Sequence, residues 1–312
     1  MYNEFTFWII FVVVALIIII VDLYVTDHRQ GKIGLKKSLM WSGAWISTAL
    51  LFFVAIHFFL EKGPQRSLEF ITGYLIEYSL SVDNLFVFLL IFKTMGITNE
   101  NQPHVLKWGI LSAIVLRIVF ILIGVGLINL FQPIIYVFGA ILLYGAYKMA
   151  FGGEKEIDYE KHPVIRFIRK FFNILPDYRG KKFFTKRNGT IYATPVFLTL
   201  LLIESSDIVF AVDSIPAIIA ITRDPFIIIT SNIFAILGLR ALYFSLAGIV
   251  DLFVYLKYGV AIILFYVGVK MMISDLYHIP TIISLAVIIS LLAGSVILSL
   301  VHKEKNAEHK KK

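Results

Sequence analysis

The amino-acid sequence predicts an all-α membrane protein of about nine transmembrane helices that contains two inverted three-helix repeats. Three observations predict this fold: a very apolar composition, nine long apolar runs, and an acidic motif that occurs twice. The 312 residues are 59% hydrophobic and their mean hydropathy is +0.84, far above that of a soluble domain. The chain has no cysteine, which excludes a disulfide framework and a thiolate metal site.

The nine apolar runs have about the length that crosses a bilayer as a helix. The first run lacks the basic start and the cleavage site of a signal peptide, so we expect it to be retained. The third and sixth runs are less apolar because they contain the acidic residues. The runs lie at about residues 5–25, 39–60, 67–92, 105–128, 134–151, 194–216, 225–247, 255–273 and 280–301.

Lysine and arginine are concentrated in the 26–38 loop, the 152–193 loop and the C-terminal tail. With nine spans, all three fall on one side if the N-terminus is outside, which is the positive-inside pattern. We therefore expect a bacterial inner-membrane protein with a cytoplasmic C-terminus, and we assign its net charge of +8 to these loops rather than to nucleic-acid binding. The predicted regions are two N-terminal helices with a basic loop (1–66), a first repeat (67–151), a basic loop (152–193), a second repeat (194–275), and a last helix with a basic tail (276–312).

The repeat is visible as residues that match at a nearly constant offset. Asp83 matches Asp207 at an offset of 124 residues, and the offset falls by one in each of the next two helices. Each copy has three helices, an odd number, so the second copy is predicted to be inverted, and inverted repeats place substrate sites near the midplane. The other matching pairs are Arg117 with Arg240, Tyr144 with Tyr266, and Lys148 with Lys270.

Acidic residues within these apolar runs are the predicted site. A carboxylate at the centre of a membrane helix costs about 2.5–3.5 kcal/mol, so several of them need partners. The candidate metal ligands are Glu77, Asp83, Asn84, Glu204, Asp207 and Asp213, and Ser205, Ser206, Ser214 and Asn232 add neutral oxygens. The candidate charge-balancing residues are Arg117, Lys148, Arg240 and Lys270. Carboxylate and amide oxygens suit a hard dication such as Mn²⁺, Mg²⁺ or Ca²⁺; the alternative is a set of ion pairs that only holds helices together.

Three segments, Glu77–Asn84, Glu204–Pro216 and Ser231–Arg240, resemble the TerC family of integral membrane proteins, including its Alx-type members. The resemblance covers about residues 67–275. It implies membership of the LysE-like transporter group and, from the Alx-type members, manganese export. Tellurite chemistry finds no support in these residues, because an oxyanion site would need bases in excess.

The predicted function is export of Mn²⁺ through a mid-membrane carboxylate site, with protons as the exchanged ion. We expect no enzymatic activity, no prosthetic group and no nucleic-acid partner; the expected partners are the divalent ion, protons and the lipid bilayer. Two alternatives stay open. One is a membrane scaffold in a metal- or tellurite-stress complex, and the other is a transporter of Ca²⁺ or another divalent ion.

Overall fold

Eleven helices and three short strands make up the part of the chain that the structure describes. This computed structural model describes residues 3–22, 35–151, 163–175, 180–187, 189–246, 255–277 and 279–309. The side chains of Asp83 and Arg240, both predicted site residues, lie outside the described part. The helices are α1 (Glu4–Ile20), α2 (Leu35–Phe59), α3 (Gly63–Thr94), α4 (Gln102–Leu130), α5 (Ile134–Phe151), α6 (Pro163–Ile168), α7 (Pro195–Ile219), α8 (Pro225–Leu237), α9 (Leu239–Leu246), α10 (Leu256–Met272) and α11 (Thr281–His309).

Over the residues that the structure describes, each predicted apolar run coincides with helix, and the seventh run is divided at Gly238 into α8 and α9. Within the described ranges, six helices are long and apolar enough to cross a membrane: α2, α4, α5, α7, α11, and α8 together with α9. Helices α1 and α10 have 17 residues each, and α3 contains charged side chains that lower its hydropathy. The mostly helical, multi-pass architecture is confirmed, whereas nine spans stay a prediction.

Local sequence signals fix where the site-bearing helices begin. Helix α7 starts at Pro195 after Thr194, whose side-chain oxygen accepts a hydrogen bond from the Phe197 amide at 3.3 Å. Helix α8 starts at Pro225 after Asp224, which caps the helix in the same way. Proline at the first helical position and Thr or Asp just before it are the expected N-terminal signals.

Helix α8 lies at the centre of the bundle. Every side chain from Phe226 to Leu237 is buried, as expected for a helix that is apolar all round. Phe226 and Phe234 make tilted ring contacts with Phe52 of α2, and Phe7 and Phe11 of α1 join the same aromatic layer through edge contacts. This core leaves one face of α8 to meet α3 and α4, which carry the site.

Three helix pairs dominate the remaining packing: α3 against α8, α4 against α7, and α5 against α10. Helices α5 and α10 run antiparallel, because Tyr136 at the start of α5 donates a hydrogen bond to Asp275 just after α10, at 2.7 Å. Their backbones approach closely at Gly139 and Gly268, where a Cβ built on either glycine would lie 3.1–3.2 Å from the other's carbonyl oxygen.

The segment predicted as a basic loop, 152–193, contains structure that we did not predict. In its described part are α6 and a three-stranded sheet of β1 (Asn173–Ile174), β2 (Phe184–Arg187) and β3 (Thr190–Ala193), in the order β1-β3-β2. β2 and β3 form an antiparallel hairpin, and β1 pairs parallel to β3. Asn188-Gly189 is a common hairpin signal, and Gly189 has φ +82°. The hairpin leads directly into α7.

Candidate cation site

A buried ion pair between Glu77 of α3 and Arg117 of α4 forms the centre of the candidate site. Glu77 is fully buried and Arg117 is 2% exposed. Arg117 Nη1 lies 2.5 Å from Glu77 Oε2, while Ser81 donates a hydrogen bond to Oε1 at 3.0 Å. Glu77 and Arg117 thus form a close ion pair. Each charge therefore offsets the cost of burying the other.

Arg117 also ties this pair to the second half of the chain. Its Nη1 donates hydrogen bonds to Ser214 of α7 at 2.8 Å and to Asn232 of α8 at 3.0 Å. Its Nε is buried without a hydrogen-bond partner among the described residues. Ser214 and Asn232, predicted as neutral oxygens for a metal, thus serve the guanidinium here.

Asp207 of α7 completes what we call the central cluster: Glu77, Arg117 and Asp207. Asp207 is 9% exposed and interacts electrostatically with both other members, although it forms no ion pair within 4 Å in the described part. It lines an internal space of about 20 Å³ together with Ser81 and Arg117. A space of this size holds about one water molecule, or an ion that has lost its water shell.

The central cluster lies halfway along its helices. Asp207 has twelve residues on either side of it in α7, and Arg117 and Glu77 are within a turn of the middle of α4 and α3. This is the depth at which charged side chains are most costly in a membrane. These three side chains thus meet at the middle of their helices, while a site at the membrane midplane stays a prediction.

Glu204 forms a separate polar group, one turn before Asp207 in α7. Its Oε1 accepts a short hydrogen bond from Ser112 of α4, and its Oε2 is buried without a hydrogen-bond partner in the described part. The carboxylate packs over Gly109, which also lines the internal space beside Asp207. Glu204 is thus adjacent to the central cluster and lies toward the start of α7.

Asp213 lies further along α7 and contacts α5. A Cβ built at Gly145 would lie 3.1 Å from Asp213 Oδ1 and 3.3 Å from Oδ2, which is closer than most Cβ contacts. Lys148, one turn along α5 and exposed, acts on Asp213 electrostatically. Lys148 thus balances Asp213 and does not reach the central cluster.

The remaining predicted residues lie elsewhere. Asn84 is buried on α3, two turns from Glu77. Ser205 and Ser206 both donate to the Leu202 carbonyl of their own helix. Lys270 is near the end of α10, in a polar cleft where α3 begins and α7 and α10 end.

Sequence reasoning missed Ser112, Gly145 and Glu69, the last of which lines the polar cleft. Ser112 and Gly145 are ordinary residues of membrane helices, so nothing in a single sequence marks them. Glu69 carried a usable signal, an acid inside the third apolar run. It lies near the start of that run, where an acid is less costly in a membrane than at the middle.

In this arrangement the acids are held apart by bases and hydroxyls. Among the described side chains, no group of three or more acids, histidines or cysteines converges as a ready-made metal cage. The central cluster instead holds a guanidinium against carboxylates that would otherwise be available to a cation. Chemically, it can exchange one cation for another, because two carboxylates can neutralise either the arginine or a dication.

Comparison with known proteins gives one family. The model described as integral membrane protein TerC family matches residues 62–307. Two similar relatives are named "Putative membrane-bound redox modulator Alx", from Salmonella typhi and from Escherichia coli (strain K12); each is 44% identical over 296 residues, 93% of this chain and 92% of the relative. An "Uncharacterized membrane protein STKORF319" of Myxococcus xanthus is 45% identical over 294 residues, 94% of this chain and 92% of the relative.

No solved structure matches the chain significantly. The family match covers α3 to α11 and therefore includes every described residue of the candidate site. The resemblance predicted from the acidic motifs is confirmed: the chain belongs to the TerC family of integral membrane proteins.

Proposed function

We propose that the protein exports a divalent metal cation, Mn²⁺ in first place, across the bacterial inner membrane in exchange for protons. The observation that carries this proposal is the central cluster: Glu77 and Asp207 are buried at the midpoint of their helices around Arg117. Charged side chains at this depth are rare and usually mark an ion pathway.

The energetics favour an exchange site over a structural one. Three charges at the centre of the membrane cost roughly 8–10 kcal/mol on insertion scales, and a single ion pair offsets only part of this cost. A purely structural need would be met at lower cost by apolar packing. The residual negative charge of the cluster, two carboxylates against one guanidinium, is what a cationic substrate would satisfy.

The ligand chemistry selects the class of metal. The carboxylates of Glu77, Asp207 and Glu204, with the hydroxyls of Ser81 and Ser112 beside them, are hard oxygen donors. Such donors suit Mn²⁺, Mg²⁺ and Ca²⁺. Mn²⁺ is preferred here because the acidic motifs resemble those of Alx-type members, and Asp83 would add a further carboxylate. The named relatives are called redox modulators, but we propose no thiol–disulfide mechanism, since this chain has no cysteine.

We propose nine membrane spans, with α3–α5 and α7–α10 as inverted repeats, the N-terminus outside and the C-terminus in the cytoplasm. The packing supports the repeat. In this repeat α3 corresponds to α7, α4 to α8, and α5 to α10. The pair of α3 and α8 therefore corresponds to the pair of α7 and α4, and both pairs pack extensively. The antiparallel α5–α10 pair maps onto itself, as a two-fold axis in the membrane plane requires.

On this proposal, Arg117 is the resident counter-ion of the empty site. When the dication enters from the Glu204 side, it displaces the guanidinium from the carboxylates, and Ser214 and Asn232 retain the displaced arginine. When the dication leaves, Arg117 or protons neutralise the acids again. The site therefore never holds two uncompensated carboxylates at the midplane.

The test is Mn²⁺ efflux from loaded cells that depend on this protein. Asp207→Asn is expected to abolish efflux at normal expression, whereas Glu100→Gln, a matched change at an exposed loop position, should leave it unchanged. Normal efflux with Asp207→Asn would refute the site and favour the scaffold alternative. If Ca²⁺ competes at least as strongly as Mn²⁺, the transported ion is Ca²⁺ rather than Mn²⁺, and the proposed mechanism is unchanged.

A further inference from the structure

A polar cleft of about 510 Å³ lies at the end of the bundle where α3, α8 and α11 begin and where α7 and α10 end. In the proposed orientation this end faces outward. Its lining is mixed in charge and mostly polar. The residues of this lining that matter here are Arg66, Glu69, Thr222, Asp224, Lys270 and Asp275.

Glu69 is the buried acid of this cleft. It is only 7% exposed. Its Oε1 accepts a hydrogen bond from Gln65 at 2.8 Å, and its Oε2 accepts one from Thr222 at 2.7 Å. Both donors are neutral, so in the described part the carboxylate is oriented by hydrogen bonds without a base in contact with it. A carboxylate held in this way keeps its affinity for a cation.

Lys270 is the buried base of the same cleft. It is 6% exposed, and its Nζ donates a hydrogen bond to Ser284 of α11 at 3.0 Å. It interacts electrostatically with Glu69 but makes no ion pair with it within 4 Å among the described residues. A hydrogen bond to a neutral hydroxyl of another helix thus holds the ammonium near the carboxylate.

The other acids of the cleft already have their own partners. Arg66 bridges Glu4 at 2.9 Å and Asp224 at 3.0 Å, and Asp275 accepts a hydrogen bond from Tyr136. Glu69 is therefore the acid of this cleft that is left facing a base across a gap. It lies eight residues before Glu77 on α3, which is roughly 12 Å along the helix axis.

We propose that the polar cleft is the external exit of the ion pathway, in which Glu69 receives the dication from the central cluster and Lys270 competes with it for that carboxylate. This inference rests on the proposed function. A dication at Glu69 meets the repulsion of the Lys270 ammonium, so it is held weakly and is released. After release, the ammonium screens the carboxylate and opposes re-entry. The cleft would thus speed release and limit rebinding of the exported ion, while the proton gradient sets the direction of net transport.

The first test measures access, which does not depend on transport. The chain has no native cysteine, so a single introduced thiol reports its own exposure. Ile279 lines the cleft and is partly exposed, so Ile279→Cys places a thiol at an accessible position of the cleft. A membrane-impermeant maleimide added to intact spheroplasts should label this thiol, and millimolar Mn²⁺ should slow the labelling.

The control is Ile289→Cys, on the apolar outer face of α11, which the reagent should not label. Tyr277→Cys, also in the cleft and 64% exposed, replaces Ile279→Cys if that variant expresses poorly. Absence of labelling at the cleft position would refute an external cleft, even if Mn²⁺ efflux is normal. Labelling that Mn²⁺ does not slow, and that Glu69→Gln does not alter, would refute a cation site at Glu69.

The second test measures release. External Mn²⁺ should inhibit efflux from Lys270→Gln vesicles at about tenfold lower concentration than from wild-type vesicles, because the competing charge is gone. Lys270→Arg should retain the wild-type value. Lys257→Gln removes the same charge from the other end of α10 and should also behave as wild type. An unchanged inhibitory concentration in Lys270→Gln would refute the competition.

Discussion

The two acids of the central cluster differ in their contact with Arg117. Substitution of one acid or the other should therefore distinguish an effect on folding from an effect on transport. Glu77 is in direct ionic contact with the guanidinium, whereas Asp207 is not. Glu77→Gln keeps the shape and one oxygen but leaves Arg117 as a buried charge in contact with neutral acceptors such as Ser214 and Asn232. Breaking a buried pair from one side costs about 3–5 kcal/mol.

Asp207→Asn has the opposite profile. The change removes a charge that has no ion-pair partner within 4 Å in the described part, and a neutral amide is cheaper to bury at this depth. We expect its free energy of unfolding to be within about 1 kcal/mol of wild type, although Mn²⁺ efflux is lost. Glu77→Gln should lose both stability and efflux.

The assay is thermal unfolding of the purified, detergent-solubilised variants, followed by the fraction that stays monodisperse, alongside efflux in cells at matched expression. A third variant combines Glu77→Gln with Arg117→Met and removes both charges. It should recover most of the lost stability, without recovering efflux. If Glu77→Gln is as stable as wild type, or if the double variant is less stable than Glu77→Gln, Arg117 is not balanced by Glu77 and the reasoning fails.

Three further predictions concern positions around the cluster. Gly145→Ala should displace the Asp213 carboxylate, which lies 3.1 Å from the new Cβ, and lower the Mn²⁺ efflux rate several-fold; Gly126→Ala, with nothing within 4 Å, is its control, and equal rates would show that Asp213 is dispensable. Ser112→Ala removes the hydrogen bond to Glu204 and should raise the internal Mn²⁺ concentration for half-maximal efflux by about tenfold, roughly 1.4 kcal/mol, whereas Ser112→Thr should not. A reporter fused after Gly180 should be cytoplasmic and one fused at Met1 external. Reporters on the same side would contradict an odd number of spans between these two positions.

Much of the site was predictable because polar residues in apolar runs are conspicuous. Glu77, Asp207 and Arg117 stand out in the sequence, and the cost of burying their charges predicts that they meet. Their partners were harder to predict. Ser112 and Glu204 are 92 residues apart, and a serine hydroxyl in a membrane helix has many possible acceptors, including its own backbone, as Ser205 and Ser206 show.

Lys148 and Lys270 show a different limit of sequence reasoning. Their match in the repeat suggested a shared place beside the acids, yet Lys148 is exposed near Asp213 and Lys270 is buried in the polar cleft. In an inverted repeat, equivalent residues far from the midplane fall on opposite sides of the membrane. Only matching residues near the two-fold axis of the repeat, such as Asp83 and Asp207, are expected to lie close to each other. A match between the two copies therefore locates a site only when the matching residues lie at the middle of their helices.

The Arg117–Glu77 contact has an electrical consequence for a carrier of dications. The central cluster has a formal charge of −1 when empty and +1 with a dication bound; without the guanidinium the values would be −2 and 0. Moving one elementary charge through the membrane potential is worth about 2.3 kcal/mol per 100 mV. When the cluster returns with one proton bound, its charge is 0, so only the loaded half-cycle moves charge; without the guanidinium the loaded cluster would be neutral and the return would carry −1. Metal efflux measured in proteoliposomes at two imposed potentials should therefore depend on voltage, whereas the proton-loaded return should not. The resident arginine would thus place the work against a negative-inside voltage in the step that carries the metal out.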